Sequence, residues 1–175
     1  MRNLLIIPLM FLTFVPLAAC SPSEEVFPEV PEQSENPEGS EINDENMENN
    51  TIRLTVDDRS FTATLVENSS TEALKTQLLK GDVSIRMNDY GDMEKVGSLG
   101  FSLPRNDVQT TTAPGDLILY QGSSFVVYYD TNSWNFTRLG KVDGISTRDQ
   151  MLDLLGGKGE IILTLSLDKV SAESY

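Results

Sequence analysis

The sequence predicts a mainly β domain, a closed eight-stranded barrel with two short capping helices, on three observations. Residues 114–130 hold two short apolar runs, Leu117-Ile118-Leu119-Tyr120 and Phe125-Val126-Val127-Tyr128-Tyr129, separated by Gln121-Gly122-Ser123-Ser124. Both runs are rich in β-branched and aromatic residues and too short for helices, so they read as a hairpin. They are continuous rather than alternating, so both faces of this hairpin are expected to be covered. Residues 51–56 and 61–65 do alternate, which predicts a half-buried hairpin at the start of the domain. The only helical patterns are two short ones, after the second strand and before the last, where each can cover one open end of a barrel. A two-layer sandwich is the alternative; the helix positions favour the barrel.

Taken in order, Ile52, Leu54 and Val56 share one face, and Asp57-Asp58 supplies a turn through residues that tolerate left-handed geometry. Asn68-Ser69-Ser70-Thr71-Glu72 carries helix-start chemistry, a Ser or Thr cap with an acid in the first turn. Ala73, Leu74, Gln77 and Leu78 form its apolar edge, and Gly81 ends it. Val83, Ile85 and Met87 alternate as a third strand with Arg86 on the opposite face. Residues 88–95 read as a polar loop punctuated by Gly91, after which Val96 and Leu99 resume apolar character. The polar run 109–112 reads as a lead into the central hairpin. Residues 132–135 read as a surface loop carrying Trp134, the only tryptophan, and residues 136–142 as a strand. Thr147 caps the second helix, with Met151, Leu152 and Leu155 on its buried side and Gly156-Gly157 at its end. Residues 161–167 close the domain, which is expected to span 51–170, with 171–175 a frayed tail.

The first fifty residues are of another kind. Arg2 precedes an apolar run from residue 4 to residue 17 and then Leu17-Ala18-Ala19-Cys20, short for a membrane span and ending in small residues that suit a secretory cleavage site. The segment resembles a bacterial lipoprotein signal. That resemblance implies removal of residues 1–19, lipidation of Cys20, and an exported protein anchored to a membrane of the cell envelope. Residues 21–50 hold ten acids, no base and no apolar period, a composition that cannot bury enough surface to offset ordering. A tether is expected there, spanning roughly 30 Å or more.

The chain of 175 residues has 27 acids, 13 bases, one cysteine and no histidine. Without the ten acids of the tether and Arg2, 17 acids face 12 bases, so the domain is only mildly acidic. It has no basic stripe, and nucleic acid is not an expected partner. The absence of histidine excludes histidine-activated nucleophiles, histidine-ligated zinc and histidine general bases in this chain. A single cysteine excludes an internal disulfide.

Several stretches together are similar to the cyclophilin-like domains of small bacterial proteins: the strand at 61–65; Asn88-Asp89-Tyr90-Gly91-Asp92-Met93-Glu94-Lys95; Leu103-Pro104; Pro114-Gly115-Asp116-Leu117-Ile118-Leu119-Tyr120; and Thr137-Arg138-Leu139-Gly140-Lys141-Val142. The resemblance implies a cyclophilin-type eight-stranded barrel with two helices. It imports no activity. True cyclophilins isomerise X-Pro bonds with an arginine beside an apolar pocket, and Arg86 and Arg138 are the candidates for that role here. An arginine hydrogen bond formed mainly in the twisted transition state contributes roughly 1.5–3 kcal/mol, enough to matter against a barrier of about 20 kcal/mol. The family's pocket histidine has no counterpart, however, and a strand arginine is usually a solvated charge. The expected ligand groove draws on Asn88, Asp89, Tyr90, Met93, Glu94, Phe101, Tyr128, Trp134 and Phe136, with Met87 a further possible wall. Asp89, Asp92 and Glu94 offer oxygen ligands, but their spacing departs from a calcium loop and a hydrogen-bonded loop is expected instead. Neither cofactor nor metal is expected. The function read from the sequence is a lipid-anchored, non-catalytic module for a peptide or small ligand, with peptidyl-prolyl isomerisation as the alternative.

Overall fold

In the computed structural model, which describes residues 50–168, the described residues make nine strands and two helices. The expected lipoprotein signal, Cys20, the expected tether up to residue 49, residues 169–170 of the expected domain and the expected tail at 171–175 lie outside the described residues. β1 (Thr51–Val56) and β2 (Arg59–Leu65) form the first hairpin, turned by Asp57 at φ +53°. α1 (Ser69–Leu78) follows. Its cap is Asn68 and not the expected serine or threonine. The Asn68 side chain accepts from the Ser70 and Thr71 amides while the Thr71 hydroxyl accepts from the Asn68 amide, a reciprocal box that satisfies the free N–H groups of the first turn.

β3 (Val83–Tyr90) and β4 (Glu94–Ser98) correct the expected loop at 88–95. The two strands run almost into the turn, and Gly91 and Asp92, both at positive φ, make it tight enough for Asn88, Asp89 and Tyr90 to pair with Val96, Lys95 and Glu94. β5 (Val108–Thr111) is a second correction, since the polar run expected as a lead-in is a strand. β6 (Asp116–Tyr120) and β7 (Ser124–Tyr128) are the predicted central hairpin. β8 (Ser133–Val142) begins three residues before its expected start and takes Trp134 and Asn135 out of the expected loop and into a strand. α2 (Arg148–Leu154) is capped by Thr147 as predicted, and β9 (Ile161–Leu167) closes the domain.

All pairings are antiparallel. The circuit runs β1-β9-β3-β4-β7-β6-β8-β2 and returns to β1, an eight-stranded closed barrel with β5 outside it on the edge of β8. The barrel, rather than the sandwich, is therefore the architecture. Its interior is filled by inward residues of the barrel strands, among them Leu54, Leu65, Ile85, Leu119, Phe125, Val127 and Leu163. Leu74 and Leu78 of α1, and Met151 and Leu155 around α2, join the same core.

Closure rests on a short seam in which Ala63, Thr64 and Leu65 of β2 face Val142, Lys141 and Gly140 of β8. The Asp143 amide donates to the Thr62 carbonyl, and the Thr62 and Thr64 hydroxyls donate to the Asp143 carboxylate at 2.7 and 2.8 Å. A Cβ on Gly140 would run into the Thr64 carbonyl oxygen, so the backbones meet there only because that side chain is missing. Gly140→Ala is therefore expected to destabilise the domain by about 3 kcal/mol, as overpacking against rigid backbone does. Urea unfolding of the two forms measures this; equal midpoints would remove Gly140 from the seam's requirements.

Candidate functional site, an aromatic groove outside the barrel

Side chains of a strand alternate between barrel core and exterior. On β7, Phe125 and Val127 point into the core while Ser124, Val126 and Tyr128 point out; on β4, Lys95 points in while Glu94 and Val96 point out. Register then places Glu94 opposite Tyr128 and Val96 opposite Val126, with Ile118 of β6 on the other flank of Val126. Here the continuous apolar runs have their explanation: the outward residues Ile118, Val126 and Tyr128 form a second small core with Phe136, backed by Met93 and Val96.

Phe136 reaches this cluster because β8 does two things. Residues from Thr137 on pair with β6 inside the barrel, whereas residues 133–136 pair with β5 alone. The first half of β8 thus stands off the barrel, with the Phe136 ring 5.7 Å from that of Tyr128 and 6.4 Å from that of Tyr120. Beside it lies a groove of about 460 Å³ walled by Tyr90, Glu94, Val96, Tyr120, Ser124, Val126, Tyr128, Asn132, Trp134 and Phe136. Tyr90 and Trp134 stand at its rim, 67% and 62% exposed.

Of the residues expected in a groove, Tyr90, Glu94, Tyr128, Trp134 and Phe136 meet here, and Met93 packs beneath. Asn88 is exposed on β3 and does not line the groove; Phe101 packs against the barrel core, as does Met87. Arg86 forms an ion pair with Glu160, and Arg138 one of 2.6 Å with the buried Asp116; neither lines the groove. Val96, Tyr120, Ser124, Val126 and Asn132 are wall residues that sequence reasoning did not single out. The parity of the 124–128 run carried the signal for Ser124 and Val126, but which parity faces outward is set by the barrel.

Asp89 and Glu94, close in sequence, have opposite surroundings. Asp89 accepts from Lys95 Nζ at 2.8 Å, from the Gly159 amide and from the Tyr129 hydroxyl. Burial alone would raise its pKa, but these donors outweigh it and hold the carboxyl below the usual range. The Tyr129 phenol is in turn pushed up to about 12 by burial and by the Asp89 charge. Asp92 is bound by Lys158 and Arg148, which also reaches Asp130, so the acids of this hairpin end hold α2 and the approach to β9 in place. Among the described residues no cation pairs with Glu94. Burial raises its pKa, countered only in part by the nearby Tyr128 hydroxyl, which itself accepts from Asn132 Nδ2. Its Oε2 is buried without a hydrogen-bond partner. Among the described residues no cluster of three metal-ligating side chains is found.

Two stability measurements follow. Asp89→Ala leaves the fully buried Lys95 ammonium with only the Gly159 carbonyl, and is expected to cost about 3 kcal/mol in chemical denaturation, well above the cost of Lys95→Met. For Glu94 the folded pKa lies above the unfolded one. Its contribution therefore favours the fold below about pH 4.5 and is lost as pH rises through the folded value. Glu94→Gln should accordingly raise the Tm relative to wild type at pH 8, with the gain shrinking toward pH 4.5. A gain independent of pH would show that Glu94 does not titrate as described.

The barrel and groove can be set beside known proteins. A solution structure of the hypothetical protein AF2241 from Archaeoglobus fulgidus is similar at 12% identity and a TM-score of 0.47, covering 67% of this chain and 94% of that one. The structure of McbB in complex with tryptophan is similar at 12% identity and a TM-score of 0.42, covering 71% of this chain and 47% of that one. No curated protein matches the chain. The sequence model described as the Cyclophilin-like family matches residues 54–166, from the first strand of the barrel to the last. The chain belongs to the cyclophilin-like family.

Proposed function

We propose that the protein is a lipid-anchored protein of the cell envelope whose cyclophilin-like barrel binds a peptide or small ligand in the outer groove without catalysing a reaction. The observation that carries this reading is the groove itself: concave, largely apolar and aromatic, with a few convergent polar groups, as ligand sites are. Among the described residues no arginine or lysine lines it, and both arginines considered for isomerisation are engaged in ion pairs elsewhere. A prolyl nitrogen held against Tyr128 or Phe136 would find no guanidinium to donate to it. The expected lipid on Cys20 and the acidic tether would leave the barrel clear of the membrane surface, with the groove open to partners. No helix among the described residues is long and apolar enough to cross a membrane.

Binding is tested by titrating short peptides of differing composition while following Trp134 fluorescence, which is expected to shift as the exposed indole is covered. Tyr90→Ala and Trp134→Ala should each weaken binding by about 1 kcal/mol or more, the scale of an aromatic contact. Proline-limited refolding of a test substrate should be no faster with the protein than without it. An acceleration abolished by Arg138→Ala would replace the binding reading with the isomerase one. Mass spectrometry of the membrane-extracted protein should find Cys20 acylated as its first residue; a bare thiol there would overturn the anchor.

A further inference from the structure

Among the described residues Glu94 is the only charged one in the groove wall, and it is 8% exposed. The Tyr128 hydroxyl lies near the carboxylate, but Oε2 is covered and has no hydrogen-bond partner among the described residues. An unmet acceptor in a dry site is costly, and the cost is recovered by any group that brings a donor, most of all a charged one. Among the described residues no lysine or arginine lines the groove to do this. The same groove is walled by the rings of Tyr90, Tyr120, Tyr128, Trp134 and Phe136, and aromatic faces attract an organic cation while their apolar surface suits an alkyl stem. Tyr90 and Trp134, at the rim, are largely exposed.

From this arrangement we infer that the groove recognises a basic side chain of a peptide, a primary ammonium or guanidinium on an apolar stem, with Glu94 Oε2 accepting its N–H. The inference rests on the groove being a binding site and names what enters it. The ligand supplies the donor and charge that the fold withholds. The aromatic wall holds the methylene stem and excludes water from the ion pair. A quaternary ammonium would satisfy the rings but not the oxygen, because it carries no N–H.

The experiment compares three peptides that differ at one residue, the probes being Ac-Phe-Lys-Phe-amide, its Nε-acetyl-lysine form and its Nε-trimethyl-lysine form, each titrated against the full-length protein by Trp134 fluorescence. The lysine peptide is expected to bind at least about tenfold more tightly than the acetylated one, as a charge-assisted hydrogen bond implies, with the trimethylated form between them. In Glu94→Gln, which removes the charge and keeps the shape, the lysine and acetyl-lysine peptides should fall within about twofold of each other. Equal binding of the two by the wild type, or a lysine preference that survives in Glu94→Gln, overturns the cation assignment while leaving the groove a binding site. If none of the three binds and Trp134 stays silent, the assignment fails together with the groove reading beneath it.

Discussion

The structure depends on the seam at which β2 and β8 join, because a barrel with that edge open would expose two unpaired strands and the core between them. The seam is only three residue pairs long, and Gly140 lets the backbones approach. It also fixes β8. The strand locked against β2 at Gly140 and Val142 leaves the barrel wall at its start, where its first four residues pair with β5 outside. The stand-off of that segment carries Trp134 and Phe136 over the outer face of β6 and β7. Closure and groove are thus two ends of one ten-residue strand.

The second constraint is the parity of the strands. In the β3–β4 hairpin, Asp89 and Lys95 face each other across the ladder, the half-buried carboxylate pairing with the fully buried ammonium. One residue earlier than Lys95, Glu94 points outward among aromatic rings and finds only a tyrosine hydroxyl. Two acids in one hairpin therefore differ in role because of side, not sequence distance: the inward one binds the barrel end together, while the outward one is left with unmet hydrogen-bonding capacity. A strand slip by a single residue would exchange them, leaving Lys95 in solvent and Glu94 in the core. The Asp92 contacts to Arg148 and Lys158, together with the Arg148 guanidinium 4.9 Å over the Tyr129 ring, brace the hairpin against that slip.

Membership of the cyclophilin-like family describes the scaffold, and function has to be argued from the site grafted on it. Among the described residues the wall of that site carries five aromatic rings, four hydroxyls, one amide and one carboxylate.

The order and type of most elements were legible in the sequence because alternation, turn residues and helix caps act over a few neighbours: the first hairpin, the central hairpin, the Thr147 cap and the closing strand all follow from local chemistry. Of the residues named for a groove, Tyr90, Glu94, Tyr128, Trp134 and Phe136 share one wall, whereas Tyr120 in the same wall was not among them. The elements that local reading missed owe their form to distant partners. Residues 108–111 and 133–135 are polar, turn-like stretches that become strands only by pairing with each other, and residues 88–95 read as a loop until the ladder between Asp89 and Lys95 is drawn. Which half of each alternating pattern faces the core is a property of the closed sheet, since period-2 sequence alone does not distinguish inside from outside. Folding therefore separated Arg86, Arg138 and Phe101 from the groove and brought Glu94 into it with no cation beside it among the described residues, by long-range closure that no window of neighbouring residues encodes.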